Sequence, residues 1–95
     1  MKINIGLTNK ELYQGCEIEE VGGRLTLVTD PVEAANIVGR NAQEIVDGAD
    51  ERAEVTLTGP MAVWVYLIVF HIVVHQFGKV YYEDGRGSRV LIAQH

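Results

Sequence analysis

Residues 55–84, VTLTGPMAVWVYLIVFHIVVHQFGKVYYED, decide how this chain folds. Val55-Thr56-Leu57-Thr58 combines β-branched and apolar side chains and reads as a short buried strand. Gly59-Pro60 ends it, because proline brings no N–H to a sheet ladder. Residues 61–76 follow, apolar almost all round, and predict a helix covered on both sides, by a sheet on one and a partner subunit on the other. Phe77-Gly78 then releases a second strand over 79–84, KVYYED. A strand, a helix and a second strand in this order join parallel neighbours of one sheet.

The same reading extends outward. Past Gly85-Arg86-Gly87-Ser88, residues 89–94 (RVLIAQ) predict a last strand paired with 79–84 through a glycine-rich turn. Upstream, Asp30-Pro31-Val32-Glu33 is a helix start. Asp30 caps free N–H groups, Pro31 suits the first helical position, and Glu33 completes a capping box. That helix runs to about Asp47, with Ala35, Val38, Ala42, Ile45 and Val46 on one face, and Gly48 ends it. Residues 48–54 are an acidic surface link. Residues 16–21 and 24–29 flank Gly22-Gly23 as a hairpin, and residues 2–7 (KINIGL) put Ile3, Ile5 and Leu7 on one face of a strand. The predicted order is β-β-β-α-β-α-β-β in a single α/β domain over 1–95, Rossmann-like with a largely parallel core.

Composition narrows the function. Among 95 residues, 8 Lys and Arg face 13 Asp and Glu, a formal net charge of -5. General binding of duplex DNA needs a cationic surplus to neutralise phosphates, and is excluded. A small anion held by a few placed donors is not. A hydrophobic share of 47% excludes disorder, and so short a chain is stabilised by forming a homo-oligomer. The single cysteine, Cys16, rules out a disulfide framework or a cysteine zinc site and suits the cytoplasm. The first residues hold no apolar stretch of leader length. Met61 to Val74 falls short of the ~20 apolar residues of a membrane span.

Several places hold chemistry-bearing residues, each with a plainer alternative. Thr58, Gly59 and Pro60 join a strand to a helix N-terminus, where free N–H groups favour an anion, or they simply turn the chain. His71 and His75 lie one helical turn apart, able to share acid–base work or a metal, or merely exposed at the helix end. No Glu adjoins either, so this is not the HExxH metalloprotease motif. Asp84-Gly85-Arg86 either offers a carboxylate and a planar phosphate-gripping fork or is an ordinary hairpin turn. His95 either frays or points at the same site as the others.

The run of Thr58-Gly59-Pro60, Trp64 in an apolar helix, His71 and His75, Asp84-x-Arg86, and a strand ending Gln94-His95 resembles the small Csx-type CRISPR-associated ring nucleases of type III systems. The resemblance covers residues 55–95 in motif detail, and residues 84–95 match at the same spacing. Tyr66 stands where that family can carry a further histidine, and the family chain continues past the last histidine. The resemblance implies a CARF-like (CRISPR-associated Rossmann-fold) homodimer that binds short RNA or cyclic tetra-adenylate. It implies manganese-dependent RNA phosphodiesterase activity, which breaks the ring and switches the antiviral response off, with two dimers able to sandwich one ring. In that reading His71, His75, Asp84 and His95 are catalytic, with Asp84 orienting a histidine. Thr58, Gly59, Pro60 and Arg86 hold the ligand. A non-catalytic sensor or sponge of the same messenger, or a small dimeric interaction module, is the alternative.

Overall fold

The computed structural model describes residues 1–95. Its elements follow the predicted order: β1 (Lys2–Asn4), β2 (Ile18–Val21), β3 (Arg24–Leu27), α1 (Pro31–Asp47), β4 (Glu54–Thr58), α2 (Val63–Val73), β5 (Lys79–Glu83) and β6 (Arg89–Gln94). The main sheet is ordered β1-β4-β5-β6. The first three strands are parallel and β6 is antiparallel to β5, so the sheet is mixed. The β2–β3 hairpin stands apart as its own two-stranded sheet. Its tip is built on Gly22 and Gly23, both at positive φ (58° and 79°), the conformation a tight two-residue hairpin requires.

The strand order steps in one direction without reversing. Right-handed crossovers that step the same way place both helices on the same face, and α1 and α2 do pack against each other. The core lies between that helical layer and the sheet: Ile3, Ile5, Val55, Leu57 and Val80 from the sheet side meet Val38, Ala42 and Val46 of α1 and Val65, Val69 and Val73 of α2. Alternate strand positions turn the other way. On that open face Lys2 pairs with Glu83 across β4 at 2.6 Å, and Arg89 pairs with Glu54 at 3.4 Å while lying 3.7 Å over the Tyr81 ring. Lys2–Glu83 bridges β4 and Arg89–Glu54 bridges β5, and Thr56 beside them is buried.

Helix α1 matches its expected bounds, and Asp30 accepts from the Val32 and Glu33 N–H groups at its start. Its buried face is rotated from the expected one: Ala34, Ile37 and Asn41 join Val38, Ala42 and Val46, whereas Ala35 and Ile45 are half-buried. Gly48 closes it at φ -82°, so no left-handed cap is used. Asn41 is buried because its amide donates to the Leu12 and Gln14 carbonyls at 2.9 and 2.8 Å, fastening the irregular segment after β1.

Expected boundaries change in several elements, and the hairpin arms expected at 16–21 and 24–29 shorten to Ile18–Val21 and Arg24–Leu27. The first strand stops at Asn4 rather than residue 7, because Asn4 and Asn9 seize the backbone locally. Asn4 Oδ1 accepts from the Gly6 N–H at 2.8 Å, and Asn9 Nδ2 donates to the Asn4 carbonyl at 2.7 Å. Helix α2 spans Val63–Val73 rather than 61–76. Ala62, at φ -59° and ψ 147°, stays extended as the N-cap, and the chain leaves through turns after Val73. Only one side of α2 meets the sheet; Val63 and Leu67 on the other are exposed. No helix is long and apolar enough to cross a membrane.

Candidate functional site

The carboxyl ends of the parallel strands are the place where an α/β sheet offers loops to a ligand. Here two clefts open there, on either side of Pro60. One, of about 340 Å³, is lined by Gly6, Leu7, Thr8, Arg24, Leu25 and Pro60. The other, of about 360 Å³, is lined by Thr58, Gly59, Pro60, Tyr82, Glu83 and Gly85. The β2–β3 hairpin brings Arg24 to the first, and the β5–β6 turn brings Gly85, followed by Arg86, to the second. The chain's two salt bridges use Lys2 and Arg89, so the Arg24 and Arg86 guanidinium groups carry no ion pair.

Each predicted residue at this end has a definite local job. Thr58 Oγ1 donates to the Glu83 carbonyl at 3.0 Å and joins the ends of β4 and β5, so its proton is engaged. Gly59, at φ 108°, is required by the approach of the β1 loop. A Cβ there would overlap Asn4 Oδ1 and sit 2.8 Å from the Gly6 nitrogen. The freedom expected to admit a phosphate is spent on that packing. The Tyr66 hydroxyl donates to the Gly59 carbonyl, and its ring meets Tyr82 edge to face at 5.6 Å. Burial first, and then the neighbouring Tyr82, raise the Tyr66 pKa, so it stays a protonated donor. Asp84 Oδ1 accepts from the Arg86 and Ser88 N–H groups at 2.8 and 3.0 Å. Asp84 thus shapes the turn and does not orient a histidine of this chain.

The histidines are elsewhere. His71 projects from the last turn of α2 and His75 from the turn that follows it, with ring centroids 5.9 Å apart at 90°. The His95 N–H donates to the Gly78 carbonyl at 2.8 Å, which ties the end of β6 to the start of β5. His75 and His95 line one depression of about 320 Å³ with Val74, Gln76, Phe77 and Gly78. This is the opposite end of β5 from Asp84. At ~3.3 Å per residue the two sets lie on the order of 20 Å apart. The structure therefore gathers Thr58, Gly59, Pro60, Asp84 and Arg86 at one end and His71, His75 and His95 at the other.

No group of three or more His, Cys, Asp or Glu side chains is placed to hold a metal ion. The side chains present form no ligand set for the manganese that the resemblance implies. Arg24 and the Gly6-Leu7-Thr8 loop are site residues that the sequence reading missed. The signal was available in the small polar residues directly after the first strand, Thr8 and Asn9, read against a strand that ran too long. Comparison with protein-family models, curated proteins and solved structures finds no match for the chain.

Proposed function

We propose that this chain is a CARF-like ring nuclease: a cytoplasmic homodimer that binds cyclic tetra-adenylate over the clefts at the carboxyl ends of β1, β4 and β5 and cleaves it. The observation that carries the reading is the pair of clefts flanking Pro60, one lined by Arg24 and the other by Gly85 of the turn that carries Arg86, both arginines being free of any ion pair. A ring of four phosphates needs repeated anion contacts on a protein of net negative charge, and placed guanidinium groups supply them locally. Two protomers related by symmetry supply them in pairs.

Cleavage on this reading uses the ring's own 2′-hydroxyl. A histidine removes its proton, the oxygen bonds to phosphorus, and Arg86 stabilises the charge on the phosphorane. The bond to the 5′-oxygen breaks as a second histidine returns a proton, leaving a 2′,3′-cyclic phosphate and a 5′-hydroxyl. Because one protomer holds its histidines on the order of 20 Å from Arg86, the acid–base end comes from another copy.

The test is incubation of the protein with cyclic tetra-adenylate, with and without manganese, read by chromatography. Linear products are expected, lost in His71→Ala and His95→Ala while binding persists. Arg86→Ala is expected to weaken binding by about 10- to 150-fold, the scale of a charge-assisted hydrogen bond. A second reading, a sensor or sponge that binds without cutting, is favoured by the separation of the two ends and the lack of a metal-ligand cluster. Intact ring co-eluting with the protein selects it. Intact ring that does not bind overturns both and leaves an interaction module.

A further inference from the structure

The strand β6 is reached from β5 by a hairpin, so no crossover helix covers it. The face of β6 that looks toward the helices therefore stays open beside α2. A groove of about 300 Å³ runs there, with Leu57, Tyr66, Leu67, Phe70, Tyr82 and Ile92 among its apolar walls. Along β6 three consecutive apolar residues are about half exposed, Val90 at 53%, Leu91 at 45% and Ile92 at 52%. The strand is also a sheet edge with no proline, and no charge between Arg89 and Gln94. The opposite edge, β1, has three residues and begins with Lys2, which is how a protein blunts an edge against pairing. The β1 edge is blunted, whereas β6, apart from a register shift against β5 at Val80 and Tyr81, carries no charge beyond Arg89 and no proline to prevent pairing.

We infer that β6 is a homodimer interface. The β6 strand of one protomer runs antiparallel beside that of its partner, the grooves between α2 and β6 close over each other's side chains, and the Arg86 turn of one protomer comes beside His95 of the other. Symmetry and charge select this occupant. Two-fold antiparallel pairing is self-complementary and sets each Arg89 against the uncharged Gln94 end of its mate. Parallel pairing would place the two Arg89 cations together.

The area is of the right order. Only 19 of the 95 residues are buried although 47% are hydrophobic. The accessible surface, 5825 Å² for 10.5 kDa, exceeds the roughly 5400 Å² expected of a folded monomer of that mass. Val63, Leu67, Tyr82, Val90 and Ile92 offer on the order of 300 Å² of apolar surface. That is the core of an interface of about 800 Å² per partner whose rim is polar.

Pairing reverses the second sheet relative to the first. The carboxyl ends of its parallel strands then point the opposite way, so its histidine end lies on the same edge as the first protomer's clefts. On the functional reading above, on which this last consequence alone rests, each site is completed by the neighbour's histidines.

Two measurements decide it without ligand. By sedimentation the protein is expected at twice its 10.5 kDa protomer mass at micromolar concentration, and Ile92→Lys to raise the dimer Kd by about 30-fold or more with an unchanged far-UV spectrum. Val32→Lys, on exposed α1 surface, leaves the dimer intact. In a Cys16→Ser background, Ser88→Cys and His95→Cys chains are expected to form a disulfide when mixed, because antiparallel pairing sets these positions opposite each other; Ser88→Cys alone does not cross-link. A monomer, an unaffected Ile92→Lys dimer, Ser88→Cys pairing with itself, or a mixture that does not cross-link each overturns the inference. Mixing Arg86→Ala with His95→Ala chains then tests the shared site: activity returns in mixed dimers. If the wild type never cleaves the ring, the functional reading fails while the sedimentation and cross-linking results stand.

Discussion

Replacing Gly59 by alanine tests the account of the cleft most directly. The residue sits at φ 108°, outside the region an L side chain occupies without strain, at a cost of about 1–3 kcal/mol. The added Cβ would overlap Asn4 Oδ1 and lie 2.8 Å from the Gly6 nitrogen and 3.2 Å from the Ile5 nitrogen. The Asn4 side chain can rotate away, but doing so breaks its bonds with the Gly6 N–H and with Thr8 Oγ1, at 2.8 and 2.9 Å. Each is worth about 0.5–1.5 kcal/mol. The backbone at Gly6 cannot rotate away, so the β1 loop must shift as a unit. The sum is about 2–6 kcal/mol, a large part of the stability of a chain this size. Its thermal midpoint should fall by at least ~8 °C, at about 4–8 °C per kcal/mol for a domain of this length. Gly85→Ala is the matched control. Its Cβ meets nothing within 4 Å and its φ is not positive, so its stability should stay within about 0.5 kcal/mol of wild type. Thermal and urea unfolding followed by circular dichroism read both. A Gly59→Ala protein within 1 kcal/mol of wild type would refute the argument that packing against the β1 loop dictates glycine there.

Three other perturbations have signed outcomes. Asn41→Ala strips the donor from the Leu12 and Gln14 carbonyls and should cost about 2–4 kcal/mol in urea unfolding, against about 0.5 kcal/mol for an exposed substitution. Burial, with Cys16 and Tyr66 nearby, raises the Tyr13 pKa above its ordinary 10.0, and its hydroxyl donates to the Ile5 carbonyl. The folded state thus holds this proton more tightly than the unfolded one. Its contribution is complete below pH 10 and is lost as pH rises through the folded value, so alkaline titration should show a fall in stability that is shallower in Tyr13→Phe. Burial, and secondarily Glu33, push the Cys16 thiol up, so at pH 8 it should alkylate more slowly than a free thiol and speed up on unfolding, as thiol-reagent kinetics would read.

Much of the architecture was legible along the chain because local chemistry and final structure agree. Asp30-Pro31 starts α1 by capping and by a preset φ, whatever surrounds it. Gly22-Gly23 makes the hairpin turn by the same logic, and the strand–helix–strand run from Val55 to Glu83 leaves few ways to connect its parts. The end of β1 was misread because alternation in KINIGL gives no hint that Asn4 and Asn9 hold the backbone bonds beyond it.

The candidate site divides in the same way. Sequence by itself determined which residue types are present, that Thr58 through Pro60 leave a strand carboxyl end, and that His71 and His75 lie close together, although His75 falls in the turn after α2 and not on a shared helix face. Only the tertiary structure decided their company. Strand β5 places His95 against Gly78 at one end and Asp84 at the other, so residues close in a motif are separated by the length of a strand. The β2–β3 hairpin brings Arg24 beside Pro60 across a long stretch of chain. The physical reason is that local signals act over a turn or a cap, whereas distances across a sheet follow from strand order and direction. These are set by which apolar faces bury together, and the faces that β6 and α2 leave open are set by the absence of a helix between β5 and β6.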